Sequence, residues 1–301
     1  MSQTIAVQKP SWLKILPPRT EKYAEIKETI KELGLHTVCQ EAHCPNMSEC
    51  WDSGTATFMV LGDTCTRACR FCAVKTGLRG KGLDALEPKR LAIAVKKFAL
   101  SYVVVTSVDR DDLADQGAGH FAECIREIKS QCPKTIVEVL IPDFRGSEDC
   151  VKKIVDAQPE VIAHNIETVR ELQRRVRDYR ANYEQSISVL KKVKELDKKI
   201  FTKSSIMLGL GEQEEQVMRT MADLREIGVD FLTIGQYLRP SSRHIELKEY
   251  VEPEKFDYYK NAALQKGFLY CASGPFVRSS FKAGEFFIES IIKKQGLEHG
   301  N

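Results

Sequence analysis

From Phe58 to Tyr237 short apolar runs alternate with helix-like segments, and this alternation constrains the fold more than any other feature of the chain. The runs span 58–61, 102–106, 136–141, 161–166, 201–210 and 231–237. They lack helical spacing, as strands buried on both faces do. Between them, Leu91, Ala94, Val95 and Phe98 form one stripe at helical spacing after Pro88, a residue suited to a first helical turn. Phe121, Ile125 and Ile128 form a second, and Val217, Met221 and Leu224 a third that stops at Gly228. Strand starts fall roughly 25 to 44 residues apart, room for the crossover helix that parallel neighbours need. Six such units predict an α/β fold, a partial (β/α)6 barrel rather than a complete eightfold one. The predicted organisation is an N-terminal extension over 1–52, in which 21–34 is helical, a barrel over 53–267, and a C-terminal extension over 268–301.

Composition excludes some function classes. The chain has 301 residues, 43% of them hydrophobic, enough for a large core, and no Pro, Gly or Ser-rich linker divides it. Its 45 basic and 42 acidic side chains leave a formal charge of +3, without the concentrated basic stripe of a nucleic-acid binder. The longest basic tract, Leu190 to Lys203, reads as a solvated helix face, with docking of an acidic partner as the alternative. The N-terminal residues lack the apolar core of a signal peptide, and no later run approaches the length of a membrane span. The expected location is the cytoplasm, or an organelle if a transit peptide has been removed.

In a reducing compartment, clustered cysteines bind metal or do chemistry more often than they form disulfides. Six of the ten cysteines lie between positions 39 and 72, in two triplets: Cys39, Cys44 and Cys50, then Cys65, Cys69 and Cys72. The second triplet follows the first strand, on the loop at its C-terminal end. A cubane 4Fe-4S cluster has four irons to fill, and CysxxxCysxxCys supplies three thiolates, which leaves one iron open to a small molecule. Structural zinc is the competing reading, but zinc favours paired CysxxCys units that give four ligands, and this stretch gives two threes. Cys124, Cys132, Cys150 and Cys271 lack metal spacing and read as ordinary small side chains.

Parallel α/β folds gather their chemistry at the C-terminal ends of strands, and polar residues do cluster there. Thr106-Ser107-Val108-Asp109-Arg110-Asp111-Asp112 follows the second strand and His164-Asn165-Ile166-Glu167 ends the fourth. Gly209-Leu210-Gly211-Glu212 ends the fifth and Gly235-Gln236-Tyr237 the sixth. Each has a structural explanation as well. Asp111 and Asp112 suit the first turn of a helix, and His164 suits a hydrogen-bonded core position. Gly209-Leu210-Gly211-Glu212 lacks the features of a phosphate loop and reads as a backbone approach to a non-phosphate ligand.

The second triplet, with Phe71 inside it and a partial barrel behind it, resembles the signature of radical S-adenosylmethionine enzymes. The first triplet resembles the auxiliary-cluster motif of the lipoyl synthase family. That likeness continues through Gly54 to Cys65, Thr106 to Leu113, His164 to Thr168, Gly235 to Leu238 and Gly274 to Ser280, from about residue 10 to about 283. The resemblance implies two 4Fe-4S clusters with unlike jobs. Cys65, Cys69 and Cys72 would hold one whose open iron chelates S-adenosylmethionine, the source of a 5′-deoxyadenosyl radical. Cys39, Cys44 and Cys50, with a serine of Arg278-Ser279-Ser280 as fourth ligand, would hold the sulfur donor. Adjacent side chains of an extended segment point to opposite sides, so one serine reaches the iron, and the resemblance favours Ser280.

The implied reaction inserts two sulfur atoms at C6 and C8 of an octanoyl group carried on a protein lysine. The implied partners are octanoylated lipoyl carrier domains, namely 2-oxoacid dehydrogenase E2 subunits and the glycine cleavage H protein, and an electron donor such as flavodoxin or ferredoxin. Nucleic acid and membrane are not expected partners. Position in the family's blocks puts Asn165 and Glu167 toward the ribose of S-adenosylmethionine, Thr106 and Ser107 toward its methionine end, and Arg177 toward its carboxylate. No catalytic side chain beyond the cluster ligands is assigned. The chain departs from the family at Phe281, where tyrosine is usual, and at Ser204-Ser205-Ile206-Met207, where Ser-Gly-Leu-Met is more common. Another sulfur-inserting enzyme of the same superfamily would lack the first triplet and the Arg-Ser-Ser ending. A nucleic-acid thiolating enzyme would show an RNA-binding appendage, and a zinc module would bind no sulfide.

Overall fold

The computed structural model describes residues 9–14, 20–52, 56–280 and 290–292. The N-terminal part runs α1 (Glu21–Glu32), a two-residue β1 (His36–Thr37), α2 (Val38–Glu41) and α3 (Met47–Asp52). There follow β2 (Thr57–Val60), α4 (Glu87–Lys97), β3 (Tyr102–Ser107), α5 (Ala118–Gln131), β4 (Ile136–Leu140), α6 (Glu148–Val155) and β5 (Val161–Ala163). The chain then forms α7 (Gln173–Val176), α8 (Tyr183–Leu196), β6 (Phe201–Leu208), α9 (Glu214–Glu226), β7 (Phe231–Gln236), α10 (Pro253–Gln265) and β8 (Tyr270–Gly274).

The strands lie in sequence order, β1 to β8, in one open sheet. β1 pairs antiparallel with β2, and every later pair is parallel. All six expected strands are present, and β8 adds a seventh to the parallel ladder, pairing Leu232 with Cys271. Its sequence, Tyr270-Cys-Ala-Ser-Gly274, has no long apolar run because it sits at the edge, with only its middle residues buried. The β4 and β7 runs are buried nearly throughout, which accounts for their lack of apolar alternation.

Side chains alternate between the two faces of a strand, and the inner face is built in layers. At the bottom, Tyr102, Ile136, Val161, Phe201 and Phe231 form an apolar floor, with the Phe201 and Phe231 rings stacked at 5.1 Å. Two residues further along each strand, Lys203 Nζ donates to both Glu138 carboxylate oxygens at 2.8 and 3.0 Å, and Tyr102 adds its hydroxyl to Glu138. Two residues higher again stand Thr106, Leu140 and Ser205, which line a cavity at the strand tips.

Lys203 corrects the reading of the basic tract. Lys191 and Lys192 pair with Glu195 on the surface of α8, but Lys203 belongs to β6 and is 2% exposed. Asp111 and Asp112 also stand elsewhere than expected, since α5 begins only at Ala118 and both carboxylates are engaged by arginines, Arg67 and Arg110 respectively.

Removing one partner of a buried ion pair strands the other charge. Lys203→Met should therefore destabilise the metal-free chain by about 3–5 kcal/mol, and the double variant with Glu138→Leu should recover most of that loss. Denaturant midpoints of the two variants check this.

Candidate functional site

A cavity of about 640 Å³ opens at the C-terminal ends of the parallel strands, and both cysteine triplets line it. Thr106, Ser107, Asn165, Glu167, Arg177 and Ser280 line the same cavity. Residues from every third of the chain thus face one space.

The second triplet is held by the strand tips around it. Leu61, at the end of β2, adopts a left-handed backbone (φ 70°), and its N–H donates to Glu87 Oε2 at 3.0 Å. The loop beyond is closed on itself by Cys65 N to Lys75 O at 2.8 Å and Cys72 N to Cys69 O at 3.1 Å. Arg67, between the first two cysteines, is 3% exposed. Its guanidinium donates to Asp111 at 2.9 and 3.0 Å and to Asp143 at 2.7 Å, tying the loop to the tips of β3 and β4. Ala68 N donates to Asp178 Oδ2 at 2.9 Å, and Arg70 N to Val176 O at 2.9 Å, tying it to the segment after β5.

Electrostatics decide what these cysteines can do. Burial pushes the Cys72 thiol up to about 11 and the Cys69 thiol up to about 12. Cys65 is raised by burial and by the Asp109 carboxylate, to which its thiol donates at 3.7 Å. Burial and Cys44 raise Cys39 to about 11. At neutral pH these are protonated thiols and weak nucleophiles. They suit a metal that displaces their protons on binding. Asp143 ionises despite its burial because Arg67 holds it down at about 2. Desolvation, with Asp143 and Asp111 nearby, raises Asp109 to about 6.

Beyond the cysteines the cavity wall carries polar atoms in need of a partner. Ser107 Oγ, Asn165 Oδ1 and Arg177 Nε are buried without a hydrogen-bond partner, an arrangement that native interiors rarely leave unexplained. Arg177 is anchored by its other end, with Nη1 donating to Ser186 Oγ at 2.8 Å and Gln173 Oε1 at 3.2 Å. Asn165 Nδ2 donates to Glu167 Oε1 at 3.2 Å, and burial raises the Glu167 carboxyl. Thr106 differs, since its hydroxyl donates to Leu140 O at 3.0 Å and presents only lone pairs to the cavity. Ser205 also lines the wall.

The first triplet lies on α2, the turn after it, and α3. Thr37 caps α2, accepting Gln40 N at 3.3 Å, and Cys50 N donates to Asn46 O at 2.9 Å. Ser280 reaches this region from the far end of the chain, where Thr57 Oγ1 donates to Ser280 Oγ at 2.9 Å. Phe281 lies outside the described residues.

Other features identified in the sequence are structural. His164 is a core residue, with Nδ1 against Ile141 O and Nε2 against Ser186 Oγ, both at 2.9 Å. The Gly209 turn approaches protein and not a ligand. A Cβ there would meet Gln236 Nε2 at 2.3 Å and Glu249 O at 2.5 Å, while the Glu212 carboxylate accepts Gly209 N at 2.6 Å. Cys124, Cys150 and Cys271 are buried in the core. Cys124 groups with Glu87 and His120 within 4.8 Å, between α4 and α5, but Glu87 Oε2 already takes the Leu61 amide and His120 Nε2. Arg67, Asp143 and Asp178 escape sequence reasoning. Each stands alone in a loop, and only the fold brings it to the second triplet.

The sequence model for the radical SAM superfamily matches residues 59–224, and the chain belongs to that superfamily. The fold agrees, with a TM-score of 0.58 and 14% identity to the hydrogenase maturase HydG, over 83% of this chain and 62% of that one. Methylornithine synthase gives 0.56 and 11% identity, over 84% of this chain and 71% of that one.

The N-terminal domain model of lipoyl synthase matches residues 2–44. The lipoyl synthase of Halobacterium salinarum is 57% identical over 95% of this chain and 93% of its own length. The mitochondrial lipoyl synthase of Lachancea thermotolerans is 54% identical over 95% of this chain and 78% of its own length. An apicoplast lipoyl synthase, from Plasmodium knowlesi, is 52% identical over 96% of this chain and 65% of its own length. Within the superfamily, the chain belongs to the lipoyl synthase family. No helix among the described residues is long and apolar enough to cross a membrane.

His164 is lowered to about 4 by burial and by Arg177. The unfolded chain therefore binds the extra proton between about pH 6.5 and 4, so this contribution to stability is complete above pH 6.5 and is lost as pH falls through that window. NMR of the imidazole should show titration near 4, and His164→Gln should flatten that part of the stability profile.

Proposed function

We propose that this chain inserts two sulfur atoms at C6 and C8 of an octanoyl group held on a carrier-protein lysine, and that the two triplets divide the work. The observation that carries the reading is the meeting of both triplets, Ser280 and the unpartnered polar atoms in one cavity. Its volume of about 640 Å³ is that of a pocket for a small organic molecule.

The residues fit the groups that the family uses. Cys65, Cys69 and Cys72 would hold the 4Fe-4S cluster that binds S-adenosylmethionine, and Cys39, Cys44, Cys50 and Ser280 the auxiliary 4Fe-4S cluster. When bound, these groups supply one-electron cleavage of a sulfonium, abstraction of hydrogen from an unactivated C–H bond, and the sulfur. The protein's own residues bind, orient and exclude. Arg177 Nε, which has no partner within the protein, would donate to the carboxylate of S-adenosylmethionine through a charge-assisted hydrogen bond. Asn165 Oδ1 and Glu167 accept from ribose hydroxyls, and Ser107 with the Thr106 lone pairs meets the methionine end. Met59, Leu140 and Met207 supply apolar wall beside these groups, which suits an acyl chain and keeps water from reactive carbon.

The chain divides in this reading into 1–52 with the auxiliary cysteines, the barrel over 53–267, and 268–301 with the serine, whose first part supplies β8. The carriers are 2-oxoacid dehydrogenase E2 subunits or the glycine cleavage H protein, and flavodoxin or ferredoxin delivers electrons. None of the ten cysteines, all among the described residues, is joined in a disulfide, which suits a reducing compartment, the cytoplasm or an organelle.

Anaerobic reconstitution separates the two jobs. With Cys39, Cys44 and Cys50 replaced by Ala, the protein should keep about half its iron and still form deoxyadenosine from S-adenosylmethionine, without lipoyl product. Replacing Cys65, Cys69 and Cys72 should abolish both products. Lipoyl product from the first variant would refute the division of labour.

Ser280→Cys tests the oxygen ligand. Alkoxide is a harder iron ligand than thiolate, so the variant should assemble both clusters yet slow sulfur insertion. An unchanged single-turnover rate would count against this role.

A further inference from the structure

Ser280 is remote in sequence from the cysteines that it would join, and closing so long a loop has an entropic cost. A hard oxygen ligand is a poor agent for ordering a chain end onto an iron cluster. The structure shows three protein contacts that order it instead, on three consecutive parts of the segment after β8.

Asn46, between Cys44 and Cys50, is 5% exposed, and its Nδ2 donates to Phe276 O at 2.6 Å. Gly235, on the inner face of β7, meets the next residue. A Cβ at Gly235 would lie 2.1 Å from Val277 O and 3.0 Å from Val277 C, so only glycine lets the segment cross the strand at this height. Finally, Thr57 Oγ1 reaches Ser280 Oγ at 2.9 Å from the start of β2. Gly274 O accepts Val277 N at 3.0 Å, which turns the chain out of β8 toward these contacts.

We propose that Asn46 and Gly235 are positioning residues that latch the serine-bearing segment over the first triplet before any cluster is present. The inference rests on the reading of that triplet and Ser280 as one ligand set. Its consequence is specific to a cluster that is dismantled as sulfur donor. The latch belongs to the protein, so the serine stays in place when the iron leaves and the site is ready for rebuilding.

The test uses the full-length, metal-free chain. Hydrogen exchange is followed by mass spectrometry in peptides covering 275–280, in wild type, Asn46→Asp, Gly235→Ala and Ser280→Ala. Asn46→Asp keeps the side-chain shape and removes the donor. It and Gly235→Ala should speed exchange there by about tenfold or more, with the barrel peptides unchanged, whereas Ser280→Ala should leave the segment protected. After reconstitution, Asn46→Asp should lose up to about half its iron while still binding S-adenosylmethionine at the other cluster.

Wild-type exchange at the rate of an unstructured peptide, slowing only after reconstitution, would overturn the latch, as would unchanged exchange in Asn46→Asp. Should Gly235→Ala fail to fold, Asn46→Asp alone decides. The exchange arm needs no metal. Latched exchange together with full iron in the triplet variant lacking Cys39, Cys44 and Cys50 would instead refute the cluster reading and leave the latch standing.

Discussion

The whole site depends on one buried guanidinium. Arg67 sits between two cysteines of a loop whose thiols must converge, and it is fixed by Asp111 from the tip of β3 and Asp143 from the tip of β4. Arg145 and Arg180 lie against Asp111 in turn, so positive and negative groups alternate behind the loop. Isolated buried charges are costly, and satisfied networks hold one geometry because each lost member exposes the others. The network thus converts the rigidity of two strand tips into the placement of three thiols.

That placement is useful because the inner face changes character along the strands. Aromatic and branched side chains seal the bottom, the Lys203–Glu138 pair occupies the middle, and small or polar side chains at the top leave room. Period-2 alternation delivers all three layers from the same strands. The N-terminal helices and the segment after β8 then cover the open side. The Asn46 contact to Phe276 joins these two covers directly, and Asn46 itself lines the cavity that the triplets share.

Much of this was readable in the sequence, for identifiable reasons. The six central strands announce themselves because they are buried on both faces, so apolar residues stand at both even and odd positions of most of them, as in Tyr102-Val-Val-Val105 and Phe58-Met-Val60. The edge strand β8 does not, because only its middle residues are covered. Cysteine spacing marks the two triplets, because each sets three thiols within a dozen residues. Neighbouring blocks mark Asn165, Glu167 and Arg177, all of which line the cavity. What escaped is long-range. Lys203 looks like one more surface lysine until β6 turns it onto Glu138, and Arg67 looks like a loop residue until the tips of β3 and β4 close on it. The glycines at 209 and 211 suggested a ligand, yet the close partners of Gly209 are Gln236 and the Glu249 backbone. A glycine reports a close approach without saying to what.

Family membership and the cavity that both triplets line support the proposed account, in which a radical is generated at one triplet and sulfur is delivered from the other. Isotope transfer tests it most directly. The chain is reconstituted anaerobically with heavy-isotope sulfide and freed of excess. It is then given reductant, S-adenosylmethionine and an octanoyl-lysyl peptide in light sulfide, and the product of a single turnover is weighed. The account predicts a lipoyl group in which both sulfurs are heavy. A product carrying light sulfur would place the sulfur source outside the chain and contradict it.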